Sequence, residues 1–348
     1  MVKWRQVTGY SRCVLFAILL AVAGVSAVLV SRAATSATTT EAEQGTLGGA
    51  AQIVSGLAGS SGTGAVQFGA AIPSNAKPTA ANTGVPAGTQ LTIVNGDQTY
   101  ATDGQVLSGL DIRGYVQITG KNIVIKNSII RGGTKPCTMS NAQNSAPLWV
   151  RDDAGATNFT LQDSEIAPSN ATACMDGAWL SNATLVRVNI HGAVDGIKAY
   201  DNVTVQDSYI HDLAYFAVDP NQGGGETHND GLQSYECNTN VLISHNNIDL
   251  ATTQTANAAY QITQDAGRAC ANIVITNNWL DGGGCTINVA HKVLASLSGV
   301  SITGNRFGHN QGFGNCTVLL STRSILTTYS GNVWDDTGQA IPAPQVHD

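Results

Sequence analysis

This 348-residue sequence is poor in charge and in rings: 12% of its residues are Asp, Glu, Lys or Arg and 6% are Phe, Trp or Tyr. It has no basic cluster, and its formal net charge is −7, which excludes a nucleic-acid-binding surface of the usual electrostatic kind. None of its 7 cysteines stands in the Cys-x-x-Cys spacing of a zinc or thiol-redox site. What it has in quantity is glycine, 38 residues, with many Asn, Thr, Ser and Val, a mixture that suits strands and turns rather than helices.

The ends differ from the middle. Lys3, Arg5 and Arg12 precede an apolar run from Cys13 to Val30, and Ser31-Arg32-Ala33 offers small residues where a signal peptidase cuts. Residues 1–33 therefore read as a secretion signal, with a membrane anchor as the reading if the segment stays uncleaved. Residues 34–88, rich in Ala, Gly, Ser and Thr and without a sustained period, read as a flexible tether, and 341–348 as a C-terminal tail. Loss of the signal removes Lys3, Arg5, Arg12 and Arg32 and leaves 13 Lys plus Arg against 24 Asp plus Glu, a net of −11. It also removes Cys13, leaving six cysteines that in an exported chain are expected as three disulfides.

Over residues 89–340 one phrase recurs: NIVIKNSII from Asn122, NFTLQDSEI from Asn158, NATLVRVNI from Asn182, NVTVQDSYI from Asn202, NVLISHNNI from Asn240, NIVITNNWL from Asn272, GVSITGNRF from Gly299 and LTTYSGNVW from Leu326. Apolar residues alternate, then a polar pair interrupts before the next apolar residue, so each copy is a strand ending in a bend. The copies are 36, 24, 20, 38, 32, 27 and 27 residues apart, room for further short strands but not regularly for a packed helix. Stacked copies form a solenoid of about eight or more coils. The predicted inward columns are Ile125, Leu161, Leu185, Val205, Ile243, Ile275 and Ile302, and Ile130, Ile166, Ile190, Ile210, Ile248, Leu280 and Phe307. Asn246, Asn278, Asn305 and Asn332 form a polar column at the bend, where asparagine tolerates left-handed backbone. The Asn-x-Thr triplets at Asn158, Asn182 and Asn202 begin the phrase itself and are strand-start grammar more than glycosylation sites; Asn170 and Asn315 complete the set.

This grammar resembles that of the right-handed parallel β-helix proteins of the pectate-lyase-like superfamily, especially secreted bacterial members. The fold expected is all-β, a right-handed single-stranded parallel β-helix. The resemblance implies an extracellular, monomeric protein acting on polysaccharide.

A second phrase points to a site. Asp176-Gly177-Ala178-Trp179, Asp195-Gly196-Ile197-Lys198 and Asp230-Gly231-Leu232-Gln233 each precede a copy of the repeat, so successive coils should bring the aspartates into one row. Asp-Gly is also common turn chemistry. The neighbours weigh against turns alone: a ring, an ammonium and an amide at the same offset, with His228 and Tyr235 flanking Asp230, are a mixture suited to carbohydrate. His191 and His211 follow equivalent isoleucines and should sit side by side on adjacent coils, as ladder members or substrate contacts.

Elimination from an acidic polysaccharide, the first reaction implied by the resemblance, needs a base and a cation. Lys198 or His228 could be the base, and Asp195, Asp230 and Asp201 could hold calcium. The acidic chain would repel a polyuronate unless a metal reversed the local field. The second reading is glycoside hydrolysis or epimerisation, with Asp195 and Asp230 as the paired carboxylates. The Gly-His-Gly and Arg-Ile-Lys motifs of polygalacturonase-like hydrolases are missing. The third is glycan binding at a cell surface without catalysis. Trp179, Gln233, Tyr235, His191 and His211 are the expected sugar contacts, and Asp230 and His228 are expected to face solvent. Stacked coils also predict the pairs Cys137–Cys174, Cys237–Cys270 and Cys285–Cys316.

Overall fold

The computed structural model describes residues 52–55, 64–67, 72–73, 75–234, 238–263, 270–290, 297–321 and 324–347. The chain divides into two compact units, residues 1–71 and 72–348. In the first, Gln52–Ser55 pairs antiparallel with Gly64–Gln67. The second is a right-handed parallel β-helix with three sheets. Sheet 1 has ten strands, from Gln98–Tyr100 to Gln345–Val346; sheet 2 has nine, from Val106–Ser108 to Ser324–Ser330; sheet 3 has ten, from Thr92–Asn95 to Val333–Trp334. One coil shows the path: Ala183–Val186 in sheet 2, a bend, Asn189–His191 in sheet 3, a short loop, then Ile197–Ala199 in sheet 1.

Both predicted columns are continuous. Ile125, Leu161, Leu185, Val205, Ile243, Ile275 and Ile302 are each paired with the next and fully buried. Ile130 through Phe307 do the same in sheet 3. Alternation puts every second side chain inside, so any one-residue slip would expose the whole column to water, and this fixes the register. Sheet 1 adds Val116, Leu148, Ala178, Ile197, Leu232, Tyr260, Ile287 and Val318 to the core.

The buried Asn column is a hydrogen-bonded ladder: Asn278 Nδ2 donates to Asn305 Oδ1 at 2.9 Å, and Asn305 Nδ2 to Asn332 Oδ1 at 3.0 Å. These asparagines do not carry the left-handed backbone expected of them. That conformation falls one residue earlier, at Asn127, Asp163, Arg187, Asp207, His245 and Asn277, with Gly304 and Gly331 in the later coils. The buried amide is free to serve the ladder because its neighbour makes the bend. A second, exposed ladder joins the strand-start asparagines, with Asn158 donating to Asn122 at 2.8 Å and Asn202 to Asn182 at 2.8 Å. Asn158, Asn182 and Asn202 of the triplets are thus engaged in the repeat.

The compact unit is longer at both ends than the periodicity indicates. From residue 72 the expected tether packs on the solenoid: Gly84 N–H donates to Arg187 O at 2.9 Å, and Asn247 Nδ2 to Pro78 O at 3.0 Å. In the expected tail, Gln345–Val346 adds a last strand to sheet 1. Disulfides join Cys137 to Cys174 and Cys285 to Cys316; Cys237 lies outside the described residues, and Cys270 is disulfide-bonded. No helix among the described residues is long and apolar enough to cross a membrane, and residues 1–33 lie outside them.

Candidate functional site

The outward faces of sheet 1 form a row running across the strands: Gln117, Trp149, Trp179, Lys198, Gln233, Gln261 and Asn288, one per coil. Adjacent members are about 4.8 Å apart at the backbone. Beside the row, where each sheet 1 strand begins, stand Asp176, Asp195 and Asp230.

The glycine after each aspartate is required by backbone contact. A Cβ on Gly177 would lie 2.4 Å from Gly196 O, one on Gly196 2.4 Å from Gly231 O, and one on Gly231 2.6 Å from Ala259 O. None of these three has positive φ, so turn conformation does not explain them. Close stacking does, and it holds the aspartates in register: Gly177 N–H donates to Asp195 O at 2.7 Å and Gly196 N–H to Asp230 O at 2.9 Å.

The three carboxylates line one cleft of about 700 Å³, together with Lys198, His228, Gln233, Asn257 and Gln261. Residues 212–228 rise beside it and contribute Asp219, Asn221, Gln222 and His228. The opposite loop, tied down by Cys137–Cys174, contributes Asn144, and Asn221 Nδ2 donates to Asn144 Oδ1 at 3.0 Å, bridging the two loops.

Inside the cleft the donors are assigned. Lys198 Nζ lies 2.9 Å from Asp176 Oδ2 and 3.8 Å from Asp195 Oδ2. Trp179 Nε1 donates to the same Asp176 oxygen at 2.6 Å. Asp195 Oδ1 accepts the Asp230 N–H at 2.9 Å, and Asp230 accepts Asn257 Nδ2 at 3.0 Å and Gln233 Nε2 at 3.4 Å. Burial, then the Asp176 carboxylate, push Asp195 up to about 7. Burial, then Asp195, push Asp230 well above the usual carboxylate range. Burial alone would lower Lys198, but the Asp176 and Asp195 carboxylates outweigh it and hold the ammonium above its ordinary range.

Of the residues singled out in the sequence, Lys198, His228, Asp230, Asp195 and Gln233 meet in this cleft. Trp179 borders it through its bond to Asp176. His228 is exposed, as expected, but Asp230 is not: it is 1% exposed, closed in by its amide partners and the 212–228 loop. Asp201 lies elsewhere, its carboxylate accepting the Thr239 N–H at 2.8 Å and its side chain lining a separate cleft. The expected calcium set of Asp195, Asp230 and Asp201 is therefore not brought together. Among the described residues no three His, Cys, Asp or Glu side chains converge to hold a metal ion, and the Lys198 ammonium occupies the cation position between Asp176 and Asp195. A divalent cation does not fit this arrangement.

His191 and His211 are neighbours, their ring centroids 5.2 Å apart, but they belong to sheet 3 and do not line the cleft. His191 Nε2 pairs with Glu165 at 2.9 Å; His211 Nδ1 pairs with Asp212 at 2.7 Å, and its ring stacks on Tyr209 at 3.9 Å. They are members of a surface ladder. Tyr235 lies outside the described residues. Asn257 and Asn144, which the repeat phrases do not mark, come to the site through pairing of Ala256–Ile262 with Asn229–Ser234 and through the disulfide loop.

No protein-family model matches this chain, nor does any curated protein. Among solved structures it is similar to a trypsin-treated variant of QnrB1, a plasmid-mediated fluoroquinolone resistance protein, at 8% identity and TM-score 0.27 over 71% of this chain and 92% of that one. It is also similar to the catalytic unit of a thermostable GH87 α-1,3-glucanase from Streptomyces thermodiastaticus, at 12% identity and TM-score 0.28, covering 70% of this chain and 51% of that one. The fold assignment rests on the sheet topology.

Proposed function

We propose that the chain is an extracellular glycoside hydrolase that cleaves a polysaccharide lying along sheet 1. The observation that carries this reading is the pair Asp195 and Asp230, on adjacent coils and lining one cleft, with burial raising both carboxyls above the usual carboxylate range. Hydrolysis of a glycosidic bond needs one carboxylic acid and one carboxylate. Asp230, more deeply buried and bonded only to amides on its carboxyl oxygens, is the proton donor to the departing oxygen. Asp195, 3.8 Å from the Lys198 ammonium, is the member of the pair that this cation helps to ionise, and it attacks the anomeric carbon. Water then releases the sugar, with Asp230 taking its proton back.

Elimination fits less well. Lys198 is held as an ammonium by two carboxylates and cannot serve as a base near neutral pH. A uronate carboxylate entering this cleft would meet Asp176, Asp195, Asp219 and Asp230.

Asp195 and Asp230 stand one coil apart, about 4.8 Å at the backbone, and a pair this close leaves little room for a water between acid and base, as in retaining enzymes. The test is product analysis after incubation with plant, algal and bacterial polysaccharides, with calcium or with chelator. Saturated reducing ends of retained configuration are expected, insensitive to chelator, and Asp230→Asn should lower turnover on the order of a thousandfold. Unsaturated ends, or full turnover in Asp230→Asn, would sink the reading. Inverted products would mean that water rather than Asp195 attacks the anomeric carbon, with its proton taken by a base such as Asp176, two coils from Asp230.

A further inference from the structure

A smaller cleft of about 310 Å³ adjoins the first and shares Tyr200 with it. Its walls are Trp149, Trp179 and Tyr200, and Asp152, Asp153, Asp201 and Ser181 complete it. The two tryptophans pack edge to face, with centroids 5.3 Å apart and planes at 80°. This arrangement is held from behind: the Arg151 guanidinium lies 4.1 Å over the Trp149 ring, fixed by Asp153 at 2.7 Å and Gln117 at 3.1 Å. Trp179 is fixed by Asp176. The rings are half-buried and set in place rather than free to rotate.

Such a site offers ring surface for the apolar C–H face of a sugar and carboxylates that accept hydrogen bonds from its hydroxyls. The cation at its wall, Arg151, is engaged by Asp153 and Gln117. Among the described residues lining the two clefts, Lys198 is the only Lys or Arg, and it is engaged by Asp176 and Asp195. The row Trp149, Trp179, Lys198, Gln233 leads from this cleft to the acids in steps of about 4.8 Å, so one extended chain can occupy both.

We propose that Trp149, Trp179 and Tyr200 form a second sugar-binding position, which takes a neutral pyranose unit of the same polysaccharide that is cut beside Asp230. This inference rests on the reading of the neighbouring cleft as a glycosidase site and narrows its substrate to uncharged glycans.

Calorimetric titration of the full-length Asp230→Asn protein tests it, with gluco-, manno-, xylo- and galacto-oligosaccharides as neutral probes and oligogalacturonate as the anionic one. Binding of at least one neutral series is expected, with oligogalacturonate silent. Adding Trp149→Ala should raise the Kd on the order of tenfold, and Trp149→Phe, which keeps a ring and guards against a folding defect, should raise it less. A Kd unchanged by Trp149→Ala, equal binding of oligogalacturonate, or no binding by any neutral series overturns the proposal. The two readings fail separately. Binding that depends on Trp149 without cleavage of any polymer by the unsubstituted chain removes the hydrolase and leaves the sugar position; cleavage with a Kd insensitive to Trp149 does the reverse.

Discussion

Replacing Asp195 by Asn should flatten the pH dependence of stability. Asp195 is raised from an ordinary value of about 4 to about 7 in the folded chain by burial and Asp176, so the native state binds a proton that the unfolded chain has released. The sign follows: where the native state holds more protons, stability falls as pH rises. The stabilising proton is fully present below about pH 4 and is lost as pH passes through 7. The difference corresponds to about 4 kcal/mol in total, of which roughly 2 to 3 kcal/mol falls between pH 5 and pH 8. Asp230, also raised, adds to the same trend. Urea unfolding of the intact protein at a series of pH values, read as midpoint times slope, measures it. Asn keeps the Oδ1 that accepts the Asp230 N–H, so Asp195→Asn removes the titrating group while keeping that hydrogen bond. The expected result is a clear loss of stability from pH 5 to 8 in the parent, a smaller one in Asp195→Asn, and the smallest in the variant that also carries Asp230→Asn, where the lowered His211 works in the opposite direction. A parent whose stability is flat or rises over this range, or a double variant as steep as the parent, would refute the buried-proton argument.

Other consequences can be measured on the same material. Asn278→Ala should cost about 2 to 4 kcal/mol in urea unfolding, because it strips partners from Ile243 O, the Asn246 N–H and Asn305 Oδ1 inside the solenoid, where water cannot replace them. Opening the Cys137–Cys174 bridge by Ser substitution, which frees a 37-residue loop, should cost about 4 kcal/mol on the chain-entropy account, and limited digestion with a protease of broad specificity should then cut first between residues 132 and 174. An unchanged unfolding midpoint in either variant would contradict the packing described.

The solenoid was legible because its signal is repeated: each coil writes the same alternation again, and errors in one copy are outvoted by the rest. That is why Leu161, Leu185 and Val205 could be aligned across spacings of unequal length. The cleft was partly legible for the same reason, since Asp-Gly recurs in register. What was hidden has no period. Asp230 is buried because the 212–228 loop and Asn257 close around it, and loop closure is not written in the strand pattern. Asp201 follows a sheet 1 strand rather than preceding one, which sends it to the other side of the row. The histidine pair lies on adjacent coils as expected, but adjacency along the axis does not specify which sheet faces the site.

The 20-residue step from Asn182 to Asn202 is one complete turn, and it contains both Asp195 and Lys198. Excising residues 182–201 would place Asn202 against the coil that Asn182 now follows, with Val205 falling on Leu161 and Ile210 on Ile166 in the core columns. Asp195 and Lys198 would leave together while Asp176 and Asp230 became neighbours. In such a chain, chemistry is inherited in whole turns: duplication or loss of a coil edits the reactive groups as a block and lets the scaffold close up behind it.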